Sequence, residues 1–151
     1  MNLRLQATYF RTGLLLGIVR GDEVHRWAEE VIGREADPPH ALIDLSLVDP
    51  DDLSEMRHAL WPLCVDPEPE IVLESVLALL HRDLEARRRD LATTVTILRQ
   101  MRSMLRLPRE LYRELNATLV DHASIGVTVS PVPAWLERFA RATLESPEPE
   151  R

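Results

Sequence analysis

The chain has no lysine. All 18 of its basic side chains are arginine. A lysine Schiff base is therefore excluded, as is a P-loop lysine. Cys64 is the only cysteine, so no intrachain disulfide can form. It sits in Leu63-Cys64-Val65, where a thiol behaves as a small buried hydrophobe rather than a reactive group. Only five glycines are present, and aromatic residues make up 5%. Strand-like alternation is nearly absent. No apolar run approaches the roughly 20 residues of a membrane span. Leu14 to Val19 is short, and Ile71 to Leu80 is broken by Glu74 and Ser75. The start, with Arg4 and Arg11 and no cleavage pattern, does not read as a signal peptide. A cytoplasmic protein without a membrane partner is expected.

The composition is ordinary for a globular protein, at 45% hydrophobic and 28% charged in 151 residues. A chain of this size buries about 70% of its unfolded surface, enough for a core without metal or disulfide staples. One domain over residues 1–145 is expected, with a mobile tail at 146–151. The charge is uneven. Residues 1–75 hold 15 acidic side chains against 6 arginines, and residues 76–151 hold 10 against 12, giving the total of −7.

Helical spacing dominates the chain. Leu3, Ala7, Phe10, Leu14 and Ile18 recur at steps of three and four, drawing one helix face. Gly13 and Gly17 weaken that helix by about 1 kcal/mol each; four residues apart, they offer room for a second helix. Val24, Trp27, Ala28, Val31 and Ile32 give a second stripe, over 22–34. Asp37-Pro38, Asp49-Pro50 and Asp66-Pro67 then read as three starts, with aspartate as N-cap and proline as the first helical residue. Helices follow at 38–47, 50–61 and 68–87. The last carries Ile71, Val72, Val76, Leu79, Leu80 and Leu84, a face wide enough to be covered by two neighbours. Leu91, Val95, Leu98, Met101 and Leu105 mark the next helix, although Thr93 to Ile97 are mostly β-branched. Pro108 opens another, with Leu111, Leu115, Leu119 and His122 on one face. Residues 126–133 read as a loop, with an extended piece at 127–129, and a last helix covers 134–144. The fold class is all-α, an irregular bundle of about eight helices.

No chemical motif stands up in this frame. His81-Arg82-Asp83-Leu84 matches the opening of a kinase catalytic loop, but the metal-binding asparagine would fall on Arg88 and every other kinase element is missing. Asp52, Glu55 and His58 have a spacing that metal ligands can use, yet steps of three drift by about 60° each and leave no common direction. There is no Gly-x-Ser-x-Gly elbow and no Cys/His pair. No catalytic residue, cofactor or metal is assigned. An enzyme assembled from scattered carboxylates and histidines is retained only as an alternative.

Two surfaces remain. The acidic first half offers Asp51, Asp52 and Glu55, with Trp61 before Pro62 as an aromatic anchor for a protein partner. Between Arg82 and Arg113 lie nine arginines against four acids. Arg99, Arg102 and Arg106 share one face, and Arg109 and Arg113 share another. They suggest a nucleic-acid regulator as the alternative function, though few aromatics accompany them.

Glu23-Val24-His25-Arg26-Trp27-Ala28 and Pro38-Pro39-His40-Ala41-Leu42-Ile43-Asp44-Leu45-Ser46-Leu47 resemble segments of small all-helical bacterial proteins of unknown function. Some of those look like immunity partners of secreted toxins. The resemblance implies an acidic helical protein that binds and blocks another protein. A protein-binding module, inhibitor or adaptor, is therefore the leading expectation.

Overall fold

Proline decides where several of these helices begin. In the computed structural model, which describes residues 2–124, 129–142 and 144, helix α3 is His40–Ser46 and α5 is Glu70–Glu85. Both start later than the Asp-Pro pairs led us to expect. A second proline explains the delay. A residue that precedes proline is driven out of the α region. Pro38 precedes Pro39, and Glu68 precedes Pro69, so neither can be helical. Pro39 and Pro69 themselves stay extended at ψ 143° and 154° and become the N-caps. Asp37 and Asp66 therefore do not cap a helix.

The third pair fails differently. Helix α4 is Leu53–Leu60, and its cap is Asp52, whose side chain accepts from the Glu55 amide. Residues 49–52 form a turn instead, closed by Asp52 N–H donating to the Asp49 carbonyl at 3.0 Å.

The remaining helices are α1 Leu3–Leu16, α2 Gly21–Arg34, α6 Leu91–Met104, α7 Arg109–Ala123 and α8 Val132–Glu137. Trp61–Leu63 adds a single 3-10 turn. Among the described residues there are eight α-helices and no strand, so the chain is all-α. The β-branched run at 93–97 is helical, as its longer apolar period predicts. The extended piece expected around Val127 and the tail at 146–151 lie outside the described residues. The last helix ends at Glu137, shorter than its stripe suggested.

Helix α1 also stops early. Gly17 takes the left-handed conformation at φ 76°, and the Ile18 and Val19 amides fold back to the Gly13 carbonyl. A side chain at position 13 would collide with that returning Val19. The two glycines thus serve a helix end rather than the approach of a second helix.

Contacts gather the chain into two compact units, Asn2–Asp66 and one beginning at Pro67. In the first, α1 packs on α4, and α3 packs on both α2 and α4. Leu42, Leu45, Met56 and Leu60 are fully buried there. Trp27 lies against the Phe10 ring and donates to Gln6 Oε1 at 3.1 Å. In the second, α5 is covered by α6 and α8, and α7 packs on α6 and α8. Leu73, Leu77, Leu80, Leu98, Met101 and Leu115 form its centre. Burying one such side chain is worth about 1.5–3 kcal/mol.

Asp83 sets the turn between α5 and α6. It is buried, its carbonyl accepts the Arg88 and Arg89 amides, and its carboxylate accepts Arg88 Nε at 3.1 Å and Arg89 Nη2 at 2.9 Å. These bonds hold Arg87 in the left-handed region at φ 60°, a conformation uncommon for a residue with a side chain. The kinase-like tetrapeptide is thus the end of a helix.

Asp90 caps α6 by accepting from the Thr93 amide at 2.8 Å. The Thr93 hydrogen bonds hold its carboxyl below the usual range. A lowered folded pKa stabilises above the unfolded value, near 4, and is lost as pH falls through the folded one. The protection factor of the Thr93 amide, its exchange rate relative to the unfolded chain at the same pH, should therefore hold at neutral pH and fall below about pH 4. In Asp90→Asn that pH dependence should disappear; if it persists unchanged, Asp90 is not its source.

Candidate functional site

The connection from α3 to α4 is braced at several points. His25 Nε2 donates to the Ser46 carbonyl, tying α2 to the end of α3. The Asp49 carboxylate accepts the Asp51 amide at 2.9 Å, which tightens the turn. Gly21, the first residue of α2, lies so close to Pro50 that a Cβ there would run into the Pro50 carbonyl oxygen. The turn is therefore seated on a backbone rather than on a side chain.

What the braced corner displays is apolar and acidic together. Leu47 is 80% exposed, and Leu53 and Ile43 are exposed beside it in the chain. A seven-residue helix with Leu42 and Leu45 fully buried has no further inward face for Ile43 and Leu47. Asp44, Asp49, Asp51, Asp52 and Glu55 are all exposed on the same stretch. Among the described residues, no arginine lies within ion-pair distance of any of the five. Asp44 meets only His40, at 3.9 Å.

The sequence candidates divide accordingly. Asp51, Asp52 and Glu55 come together at the start of α4, and Asp52 is occupied as its cap. Trp61 stands at the other end, about 12 Å along the axis. Leu53, Arg57 and Trp61 recur every four residues, so they follow one flank of α4. Trp61 is 47% exposed, and the Arg11 guanidinium lies over its ring at 4.6 Å. Leu47, Leu53 and Ile43 were not singled out from the sequence. The available signal was the shortness of α3, which carries more apolar residues than one face can bury.

The arginines fall into two sets. Arg88 and Arg89 are engaged by Asp83. At about 100° per residue, Arg99 and Arg102 lie on one flank of α6. Arg106 falls in the link beyond its end, because Leu105 leaves the helix at ψ 154°, so the single face expected for the three does not form. Arg109, Tyr112 and Asn116 lie on one flank of α7, with Arg113 at its outer edge. Arg102 Nη1 donates to Asn116 Oδ1 at 3.0 Å, so these two flanks adjoin along a seam. The two faces expected to be separate are brought together. Glu110 and Glu114 point away from the seam. Glu110 pairs with Arg113 at 3.7 Å, and Glu114 accepts from Arg138 at 2.8 Å and from Trp135 Nε1 at 3.3 Å.

His122 is half-buried and hydrogen-bonded to Ser130 Oγ at 2.7 Å. Among the described residues, no three His, Cys, Asp or Glu side chains are placed to hold a metal ion. No described helix is long and apolar enough to cross a membrane. Comparison with models of protein families, with curated proteins and with solved structures finds no match to this chain.

The corner's acids should respond unequally to substitution. Asp52→Ala removes a helix cap and should lower stability by about 1 kcal/mol. Asp51→Ala should stay within about 0.5 kcal/mol of the parent. Equal losses in urea denaturation would show that the Asp52 bond does not cap α4.

Proposed function

We propose that this chain is a protein-binding module whose α3–α4 corner docks a basic partner. The reading rests chiefly on Leu47, a leucine held four-fifths exposed within a stretch of five exposed acids. Exposed leucines are common singly. Here Ile43, Leu47 and Leu53 occur within eleven residues, and the acids around them lack arginine partners among the described residues. An apolar centre with a polar rim is the anatomy of a protein interface. The acids contribute through association rate and partner choice, since complementary charge steers encounter.

The corner is preorganised. The Asp49 turn, the Asp52 cap and the Gly21 seat fix its backbone, so little further ordering is needed on binding. Such a surface suits an inhibitor or adaptor, the role that the resemblance to toxin-immunity proteins also implies. Arg11 and Trp61 extend the same flank of α4 and supply a secondary contact.

Capture with tagged full-length chain in host lysate tests the proposal. Leu47→Asp and Asp51→Arg should each remove the same stoichiometric protein while leaving helix content and thermal midpoint unchanged. Leu47 makes no buried contact to lose, so its variant reports binding rather than folding. Undiminished capture by both variants would refute the corner as the docking surface.

A further inference from the structure

The α6–α7 seam has no part in the reading above, and its chemistry is of the opposite sign. Helix α6 contains no acidic residue. Arg99, Arg106 and Arg109 are exposed, and among the described residues none has an acidic partner. Arg102 is half-buried and fixed by Asn116, which holds the two helices in register. The two glutamates of α7 are turned away from the seam, Glu110 pairing with Arg113 at its outer edge and Glu114 with Arg138 and Trp135.

We propose that this seam binds the backbone of a single-stranded nucleic acid. The charge is of the right sign and is concentrated in the right shape. Arg99 lies on the last turns of α6, Arg106 in the link after its end at Met104, and Arg109 is the first residue of α7, so the three follow one another along the chain at the seam. A strand with regularly spaced phosphates can meet several of these guanidiniums at once, displacing condensed counterions as it does. Tyr112 decides between a nucleic acid and an acidic protein. Its ring is 46% exposed, one turn from Arg109 and Asn116 and on the same flank. Aromatic faces among arginines are the platforms on which unpaired bases stack. A run of carboxylates would gain nothing comparable from that ring. The net charge of −7 opposes a polyanion at long range, but screening confines that opposition to about 10 Å at 0.1 M salt.

The test is fluorescence anisotropy of a labelled single-stranded oligonucleotide of about 20 residues with the full chain, between about 50 and 200 mM salt. Four phosphate contacts predict an affinity that falls about 50-fold over that range, from a slope near −0.7 per contact. The triple variant Arg99→Glu/Arg106→Glu/Arg109→Glu should abolish binding. Arg102 is left in place because it joins the helices. Reversal of Arg82 and Arg87, exposed arginines off the seam, should leave binding within about twofold, as they add only long-range charge. Tyr112→Ala should weaken binding at least fivefold while preserving the salt slope. Circular dichroism checks that each variant is folded.

No binding at the lowest salt would overturn the proposal. So would equal loss on reversing Arg82 and Arg87. Binding of a polyglutamate as tightly as the oligonucleotide, with no effect of Tyr112→Ala, would assign the seam to acidic protein segments instead.

Discussion

The contact between Gly21 and the Pro50 carbonyl is the constraint on which the first unit's exposed corner depends. A helix normally presents side chains to its neighbours and keeps another backbone some distance away. Here the first residue of α2 has no side chain, and the 49–52 turn sits directly on it. That seat fixes the start of α4 relative to α2. Asp49 and Asp52 then secure the turn by local hydrogen bonds. Residues that look like mere surface charge are thus partly structural. The ones left over, Asp51 and Glu55, are held in place with nothing in the described residues to neutralise them.

Charge is sorted by task in the second unit as well. Asp83 engages Arg88 and Arg89 to close one turn. Glu114 meets Arg138 beside Trp135. Exposed pairs of this kind add about 0–1 kcal/mol at most, so they order the surface more than they stabilise it. Asp83 is the exception. It is buried, and losing its carboxylate would leave the largely covered Arg89 guanidinium without its partner, at a cost of several kcal/mol. The arginines of the seam are spared this work.

Much of the fold was legible because apolar period is a strong signal over long helices. Leu98, Met101, Leu111 and Leu115 were placed on inward faces from spacing alone. Helix α5 is covered by two neighbours, but its buried face centres on Leu73 and Leu77, and Ile71, expected on that face, is exposed. Helix starts depart from the Asp-Pro pattern where a second proline follows, because Pro38 and Glu68 are driven out of the helical region before Pro39 and Pro69. Gly13 and Gly17 were misread as a packing notch, since spacing cannot distinguish a notch from a terminator. The candidate site was half legible. Acidity at Asp51, Asp52 and Glu55 is visible in sequence, but Leu47's exposure depends on how few apolar residues one short helix can bury. The union of two arginine faces depends on the bond from Arg102 to Asn116, a tertiary contact that no local pattern announces.

The most direct measurement of the central claim is amide hydrogen exchange by NMR on Gly21→Ala, with Gly33→Ala as control. Gly33 lies in the same helix with open space around it, so its variant should exchange like the parent. Gly21→Ala should speed exchange at Val24 and Met56, whose amides close the first turns of α2 and α4, and leave the unit beginning at Pro67 unaffected. Exchange at Val24 and Met56 unchanged by Gly21→Ala would contradict the account, since the corner would then be held without its glycine seat.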